Sequence, residues 1–230
     1  MNRNYHKLRL TVLSILAISA YVFMVGYSLG KETDDFLLGW NMGQTQAEID
    51  NGVKSEEEFQ DVYYLNLKPK SGYLSFPDSM TNLKDNHSVA YRSHYVKAQT
   101  HFDKTKLKEV KRYKIFRGIF TAVVFILLIY IPVLFFKFVF SLIKEVVFDK
   151  KNIKTLRKLG VSLILFYLVY YAMDWCSLLI NRTLFEFQHY KIAQSTDSDF
   201  IWVLLGIVVL LSAEVLSRGS KLQEEQELTI

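Results

Sequence analysis

Three charged side chains lie within or at the end of long apolar runs of this 230-residue chain: Lys137, Asp174 and Glu214. A charge at membrane depth is energetically costly, so such a residue either forms an ion pair or belongs to a pathway for protons or cations. The rise of a helix predicts a similar depth for Lys137 and Glu214, near one membrane interface. We therefore expect these two side chains to form an ion pair, and we favour this structural role over ion transport.

Asp174 lies deeper, roughly three quarters of the way along its predicted span. Trp175 and Trp202 are expected at the same level, as interfacial tryptophans usually are. We expect an interfacial aspartate that pairs with Arg117 or is hydrated among the lipid headgroups, and a proton or cation site is the alternative. A transporter usually needs converging polar groups and broken helices at the midplane, and these apolar runs supply neither.

The other reactive residues form no catalytic or metal-binding motif. Cys176 is the single cysteine, so the sequence offers neither an intramolecular disulfide nor a thiolate cluster. His87, His94 and His101 are scattered over a polar segment, and no metalloprotease, phosphate-loop or nucleophile-elbow pattern occurs. We therefore expect a protein that is not an enzyme and that uses no cofactor and no metal.

Four apolar runs are the elements that must position these residues. They comprise residues 10–30, 118–136, 159–181 and 200–217. About 20 helical residues cross the ~30 Å hydrocarbon core of a bilayer, so each run is long enough to span it. The predicted fold class is an all-α membrane protein, a four-transmembrane-helix bundle with a small α+β extracytoplasmic insertion between helices 1 and 2.

A proline interrupts the backbone hydrogen bonding of the second run. Pro132 has no N–H group, so the carbonyl of Leu128 lacks its donor within the helix. Inside a bundle a neighbouring group can donate instead. We therefore expect the span to tolerate this proline.

The distribution of lysine and arginine predicts the orientation of the chain. Besides Lys137 at the end of the second run, six basic residues lie between the second and third runs, against two between the third and fourth. The positive-inside bias then places both termini and the second connection in the cytoplasm. Seven basic residues just before the second run argue otherwise, but the bias is weak for connections longer than about 60 residues. These seven are Lys104, Lys106, Lys108, Lys111, Arg112, Lys114 and Arg117.

These patterns divide the chain into segments that alternate between the membrane and its two sides. The predicted segments are an N-terminal cytoplasmic segment with the first span (1–30), an extracytoplasmic domain (31–114), the second span (115–143), a cytoplasmic basic connector (144–158), the third span (159–181), an external loop (182–199), the fourth span (200–218) and a cytoplasmic tail (219–230). Within the extracytoplasmic domain, Asp61–Leu67 and Tyr73–Phe76 flank a Pro/Gly turn and predict a hairpin. Ser88–Ala98 is predicted to supply a third strand.

The basic connector carries the signals of a helix start. Asp149 is predicted to cap a new helix that runs through Gly160 into the third span. Ile153 and Leu156 are expected to point away from its polar side. That side is formed by Lys150, Lys151, Lys154, Arg157 and Lys158.

Two segments resemble a known family. Val147–Gly160 (VFDKKNIKTLRKLG) and Ala213–Ile230 (AEVLSRGSKLQEEQELTI) resemble conserved stretches of a bacterial four-span membrane family, domain-of-unknown-function family 2975. Asp149 stands where the family usually has Ser or Thr, and Leu216 where it has Phe. The resemblance implies a multi-pass protein of the bacterial cytoplasmic (inner) membrane without enzymatic activity. Members are often encoded beside a small Cro-like helix-turn-helix regulator, which implies a cytoplasmic DNA-binding partner.

Carried onto this chain, the resemblance implies a partner surface on the cytoplasmic side. This surface combines the five basic connector residues with the tail residues Leu222, Glu224, Glu225 and Leu228. The alternative is that the connector binds anionic lipid headgroups, at ~1 kcal/mol per basic residue, and that the acidic tail folds back on it. In neither case do we expect this chain to bind nucleic acid directly.

Three functions remain open at this point. The first is a signalling or regulatory membrane protein whose partners are the lipid bilayer and a small helix-turn-helix regulator. The second is a transport or channel component that uses Asp174. The third is an envelope interaction or immunity protein, in which the extracytoplasmic domain binds another protein directly.

Overall fold

The computed structural model describes residues 8, 11–12, 14–16, 18–23, 26–27, 33–54, 61–72, 74–143, 149–195 and 200–227. It is mostly helical and has a small β-sheet region. The helices are α1 (Thr33–Asp50), α2 (Lys104–Ile143), α3 (Lys150–Leu184) and α4 (Ile201–Glu227). The strands are β1 (Asp61–Pro69), β2 (Asp78–Thr81), β3 (Ser88–Tyr91), β4 (Tyr95–Thr100) and β5 (Tyr190–Ile192).

Among the residues that the structure describes, three helices are long and apolar enough to cross a membrane, and they lie in α2, α3 and α4. This confirms three of the predicted spans by length and composition and indicates a membrane protein. The first apolar run contributes a shorter apolar helix, Ser14–Phe23, and part of that run lies outside the described residues. The fourth span, and with it the four-helix bundle, stays a prediction.

The chain divides into two compact units. The sheet unit comprises Asp34–Phe120 and Ala172–Asp197, and the helix unit comprises Met1–Thr33, Thr121–Tyr171 and Ser198–Ile230. Helices α2 and α3 each contribute residues to both units, because both are longer than a membrane requires. At 1.5 Å per residue, the 40 residues of α2 and the 35 of α3 extend about 60 and 52 Å.

Strand β1 is the centre of a three-stranded antiparallel sheet with the order β4-β1-β5. It pairs with β4 from Asp61↔Thr100 to Asn66↔Tyr95, and with β5 from Leu67↔Ile192 to Pro69↔Tyr190. Strands β2 and β3 form a separate two-stranded sheet. The sheet unit therefore draws its strands from two connections of the chain, one before α2 and one after α3.

The predicted hairpin of the extracytoplasmic domain was wrong. Asp61–Leu67 is a strand, but residues 74–76 are not, and β1 pairs with β4 and β5 instead. The predicted strand Ser88–Ala98 is divided between β3 and β4, which belong to different sheets. The sheet is also not confined to the predicted insertion, because β5 comes from the loop after α3. Alternating apolar and polar residues within a segment indicate a strand, but they do not specify which other strand it pairs with.

The core of the sheet unit forms on one face of β1. Side chains alternate along this strand, so that Tyr63, Leu65 and Leu67 are buried on the same face. They pack with residues of α2, α3 and β5, namely Val110, Leu178, Ile180, Leu184, Tyr190 and Ile192. The rings of Tyr63, Phe102 and Phe185 meet edge to face, with centroids 5.1–5.6 Å apart. The ends of α2 and α3 are thereby part of the same core as the sheet.

The core of the helix unit joins α2, α3 and α4. Its buried members are Leu134, Leu156, Leu159, Leu163 and Ala213. Many other apolar side chains of these helices are exposed, and Phe125, Ile126 and Ile129 of α2 are each about two-thirds exposed. Exposed apolar surface of this extent fits a lipid environment, because hydrocarbon solvates it without the penalty that water imposes.

Candidate functional site

The start of α3 displays the predicted basic surface. Asp149 caps this helix as predicted, because its Oδ1 accepts a hydrogen bond from the backbone N of Lys151 at 3.0 Å. Ile153 and Leu156 are buried on the opposite side, also as predicted. The side chains of Lys150, Lys151, Lys154, Arg157 and Lys158 are exposed. The helix continues through Gly160 without a break.

The last turns of α4 lie against the first turns of α3, with acid facing base. Lys150 Nζ lies 3.0 Å from Glu224 Oε1, and Arg157 Nη2 lies 3.1 Å from Glu214 Oε2. Arg218, one turn after Glu214 on α4, approaches the other carboxylate oxygen at 3.8 Å. Exposed ion pairs of this kind each contribute only ~0.2–1 kcal/mol to the stability of the fold. Together, however, they determine which turns of the two helices face each other.

Glu214 pairs with Arg157 rather than with Lys137, so its predicted partner was wrong. Depth arguments place residues along a helix but do not indicate which neighbouring helix a side chain faces. Lys137 is exposed on α2. In the tail, Leu222, Glu224 and Glu225 are exposed on α4, whereas Leu228 lies outside the described residues.

Helices α3 and α4 cross at two glycines. A Cβ built on Gly160 would lie 2.9 Å from the carbonyl oxygen of Gly206, and one built on Gly206 would lie 2.8 Å from that of Gly160. Leu210 and Ile164 flank the crossing and would stand 2.7 and 2.6 Å from those added carbons. Small residues allow helix backbones to approach closely in membranes, where van der Waals packing drives association. From the sequence, Gly160 is predicted only to lie at the entrance of the third span.

The sheet unit contains a polar cavity of about 130 Å³. It lies among β1, α2 and α3. Its polar lining includes Asp61, Lys114, Arg117, Ser177 and Asn181. Asp61 Oδ2 accepts hydrogen bonds from Lys114 Nζ at 3.0 Å and from the hydroxyl of Tyr63 at 2.9 Å.

Electrostatics distinguish this cavity from an apolar gap. Burial, followed by the nearby charge and hydrogen bond of Asp61, raises the pKa of Tyr63 above its usual range, so its hydroxyl stays a donor. Lys114 Nζ also lies 5.7 Å from the centre of the Tyr63 ring. The charged side chains of the lining are one carboxylate, Asp61, and two cations, Lys114 and Arg117. The formal net charge of these three side chains is +1.

On α3, the cavity is bordered by residues near the predicted outer end of the third span. Asn181 Nδ2 donates a hydrogen bond to the carbonyl oxygen of Tyr64 at 2.9 Å and fastens α3 to β1. Ser177 donates to the carbonyl oxygen of Met173 at 3.2 Å. Asp174, one of the three predicted membrane charges, is half-buried on the same helix. A transport role for Asp174 and its pairing with Arg117 stay predictions.

The sequence predicts neither this cavity nor strand β5. The hydroxyl of Tyr190 in β5 donates to Asp78 and accepts from the backbone N of Ser93 at 3.1 Å, so it joins β2 to the turn before β4. Burial and the bond to Asp78 raise the pKa of Tyr190. The only feature of the sequence that drew attention to this region was the cluster of basic residues before the second run, which contradicted the positive-inside bias.

Comparisons with known proteins identify a family but no characterised relative. A family model described as "Protein of unknown function (DUF2975)" matches residues 96–230, which is more than half of the chain. No curated protein and no solved structure matches the chain. The match includes α2, α3, α4 and β5, whereas β1 to β3 precede it.

Proposed function

Since this chain belongs to the DUF2975 family of proteins of unknown function, we propose that it is a signalling protein of the bacterial cytoplasmic membrane. In this proposal the sheet unit lies outside the cell and receives a signal. The exposed start of α3 and end of α4 lie in the cytoplasm and hold or release a small helix-turn-helix regulator. The chain performs no chemical reaction in this role.

The continuity of α3 is the observation that carries the proposal. Leu178, Ile180 and Leu184 near its C-terminal end belong to the core of the sheet unit, and its N-terminal turns carry the exposed basic side chains. In this proposal, a change in the packing of the sheet acts on the C-terminal end of α3. The N-terminal end of the same helix, which is about 52 Å long, forms part of the proposed partner surface. Coupling between two sites requires such a physically connected element with more than one arrangement.

The pairing of β1 with β5 supports the proposed topology. The two strands come from the connections before α2 and after α3, so these connections must lie on the same side of the membrane. Two crossings between them satisfy this condition. The positive-inside bias then assigns that side to the exterior, because the connector between the two crossings is the basic one.

The partner surface in this proposal has two parts of opposite charge. Lys151, Lys154 and Lys158 are exposed on α3, and Leu222 and Glu225 are exposed on α4. The pairs Lys150–Glu224 and Arg157–Glu214 join the two parts. An arriving regulator would therefore meet a preformed helix pair rather than two separate segments.

Capture from native membranes tests the regulatory role. Full-length tagged protein should recover a small helix-turn-helix protein, and a variant with Lys151, Lys154 and Lys158 changed to Gln should lose it. The matched control changes Lys108, Lys111 and Arg112 to Gln, which removes three exposed charges from the other end of the spans. Recovery of no such regulator, or equal loss in both variants, would contradict the proposal.

Exposed apolar side chains favour envelope interaction as the second candidate. In the β2–β3 sheet, Met80 lies opposite Val89, and both are about half exposed. Leu83 in the turn between these strands is 90% exposed, and Leu74 is 89% exposed. Replacing Leu74 and Leu83 with Ser should abolish binding of an extracytoplasmic protein partner while leaving capture of a cytoplasmic regulator unchanged. If the variant instead keeps the extracytoplasmic partner and loses the cytoplasmic regulator, this candidate is excluded.

A further inference from the structure

We propose that three basic side chains of the helix unit, Lys137, Lys158 and Arg218, form a belt that binds the headgroups of anionic lipids. They come from α2, α3 and α4, and only Lys158 belongs to the basic connector. The belt is carried by two observations, namely the exposed apolar stripes that these residues end and the common level at which the stripes end. It depends neither on the proposed function nor on which side of the membrane it faces.

The stripe on α2 shows the pattern most clearly. Ile126, Ile129 and Val133 are each more than half exposed, and Lys137 follows Val133 by four residues, which places it on the same face. A lysine at the end of an apolar stripe covers that surface with its methylene groups and extends its ammonium group towards polar surroundings. The side chain that failed to pair with Glu214 is therefore placed to contact a lipid headgroup.

Helices α3 and α4 show the same change from apolar to basic. The stripe on α3 ends at Lys158, and the stripe on α4 ends at Arg218. The exposed apolar residues of these two stripes are Val161, Leu165 and Leu168 on α3 and Val208, Leu211 and Val215 on α4. Each basic residue lies three positions from the nearest apolar one and so shares its face. On all three helices, surface that suits hydrocarbon gives way to a positive charge.

The three basic residues lie at one level of the helix unit. Leu159 belongs to the core that joins the three helices, and Phe138 and Leu216 pack against that core. Lys137 and Lys158 are each adjacent in sequence to one of these three residues, and Arg218 follows Leu216 by two positions. At 1.5 Å per residue, each belt residue is displaced by no more than about 3 Å along its helix from a residue of the shared core.

The ion pairs between α3 and α4 give the same level independently. Arg157, next to Lys158, lies 3.1 Å from Glu214, and Glu214 is one turn before Arg218. Arg218 approaches the other oxygen of Glu214 at 3.8 Å, but its side chain stays 80% exposed. Its guanidinium group is thus still presented to the surroundings, while Arg157 holds the acid.

The length of α2 identifies this level as the edge of the hydrocarbon. The uncharged run 118–136 separates Arg117 from Lys137 and extends about 28 Å, close to the ~30 Å thickness of the hydrocarbon core. Basic side chains at this edge meet lipid phosphates. An anionic headgroup strengthens such a contact about fivefold per basic residue, whereas a zwitterionic headgroup offsets its phosphate with a cation of its own.

Spin-labelled lipids test the belt. Full-length protein is reconstituted into phosphatidylcholine vesicles with a trace of spin-labelled phosphatidylglycerol or, separately, of spin-labelled phosphatidylcholine. The fraction of each probe that the protein immobilises gives their relative association constants. We expect the wild type to prefer phosphatidylglycerol by about twofold to threefold, less than one site would give because most surrounding lipids do not touch the belt. About 1 M salt should reduce this preference, because it screens charges beyond ~3 Å.

Two double variants test whether the belt is the site. Lys137→Gln/Arg218→Gln should remove at least about half of the preference, since Lys158 remains. Lys84→Gln/Lys108→Gln is the matched control, because it removes two exposed charges from the sheet unit and should leave the preference unchanged. Lys108 precedes Lys137 by about 43 Å along α2. The exchange Lys137→Arg/Arg218→Lys keeps both charges and should keep the preference. Equal unfolding temperatures of these variants in detergent establish that they are folded.

Three results would overturn the belt. They are equal association of the two lipids with the wild type, equal losses in the two glutamine variants, and a preference that persists unchanged in high salt. The outcome is separate from that of the regulator experiment, since Lys137 and Arg218 are not changed there. A belt-dependent preference without capture of a regulator refutes only the proposed function, and capture without such a preference refutes only the belt.

Discussion

The hydroxyl of Tyr21 donates a hydrogen bond to the carbonyl oxygen of Leu128 at 3.3 Å. Pro132, four residues after Leu128, removes the N–H that would occupy this carbonyl in a regular helix. The sequence predicts that a neighbouring group supplies the missing donor, and Tyr21 of the first apolar run does so. A residue of the shorter apolar helix Ser14–Phe23 is thereby joined to α2.

Removing this donor should destabilise the helix unit. Tyr21→Phe leaves the ring in place but deletes the hydroxyl. We expect a loss of unfolding free energy of about 0.6 kcal/mol and at most about 1.7 kcal/mol, the average and the maximum for hydrogen bonds between membrane helices. Denaturant titration of the protein in mixed micelles measures this loss. Pro132→Ala restores the in-helix N–H, so adding Tyr21→Phe to that variant should cost much less. If Tyr21→Phe lowers the unfolding free energy equally in the wild type and in Pro132→Ala, the hydroxyl does not act by replacing the missing N–H donor.

The close crossing of α3 and α4 at Gly160 and Gly206 predicts that any larger residue at these two positions lowers the stability of the protein. Gly160→Ala and Gly206→Ala each place a methyl group within 3.0 Å of a backbone oxygen that cannot rotate away. Overpacking of this kind costs about 1–3 kcal/mol, which should appear as a lower unfolding temperature in detergent. Gly118→Ala is the matched control, because nothing lies within 4 Å of its added carbon. A comparable loss for Gly118→Ala would contradict this explanation.

The contact between Arg157 and Glu214 predicts a charge-reversal pattern. Arg157→Glu and Glu214→Arg each create like charges across α3 and α4, whereas the double variant restores an opposite pair. We expect each single variant to lower stability by about 0.2–1 kcal/mol and the double variant to recover part of it, since both side chains are more than half exposed. A double-mutant cycle at low and high salt measures the coupling. Coupling that persists unchanged in high salt would rule out an ionic contact.

Local features of this chain could be predicted from the sequence because their causes are local. The apolar runs at α2, α3 and α4 follow from composition, and the cap at Asp149 follows from one side chain and the next two backbone groups. The buried side of the connector follows from the spacing of Ile153 and Leu156. Each of these depends on residues within a few turns of one another.

The sheet and the cavity could not be predicted in the same way. Leu67 pairs with Ile192 across more than a hundred residues, and β5 has only three residues, too few to show an alternation. The cavity brings together Asp61 of β1, Lys114 of α2 and Asn181 of α3. Such a site exists only after the fold has formed, so no spacing along the chain indicates it. The excess of basic residues before the second run did not indicate which of them would line the cavity.

Two buried tyrosines of the sheet unit predict a loss of stability at alkaline pH. Burial and contacts with aspartates raise the pKa values of Tyr63 and Tyr190 above that of an unfolded tyrosine, about 10. Their stabilising contribution is therefore complete below about pH 10 and is lost as the pH rises towards their folded-state values. Unfolding free energies at about pH 9 and 11 should fall less for the variant Tyr63→Phe/Tyr190→Phe than for the wild type. Tyr95→Phe, at an exposed position, is the control and should leave the fall unchanged.

The pairing of β1 with β5 predicts the sidedness of two distant connections. Leu83→Cys lies in the connection before α2 and Gln188→Cys in the connection after α3, and both positions are exposed. In a Cys176→Ser background, a membrane-impermeant maleimide should label both in intact cells, because strands that share a sheet cannot lie on opposite sides of a bilayer. Lys154→Cys should react only after the cells are permeabilised. Labelling of Leu83→Cys and Gln188→Cys from opposite sides would refute the β1–β5 pairing, whereas labelling of both only after permeabilisation would preserve the sheet and reverse the proposed orientation.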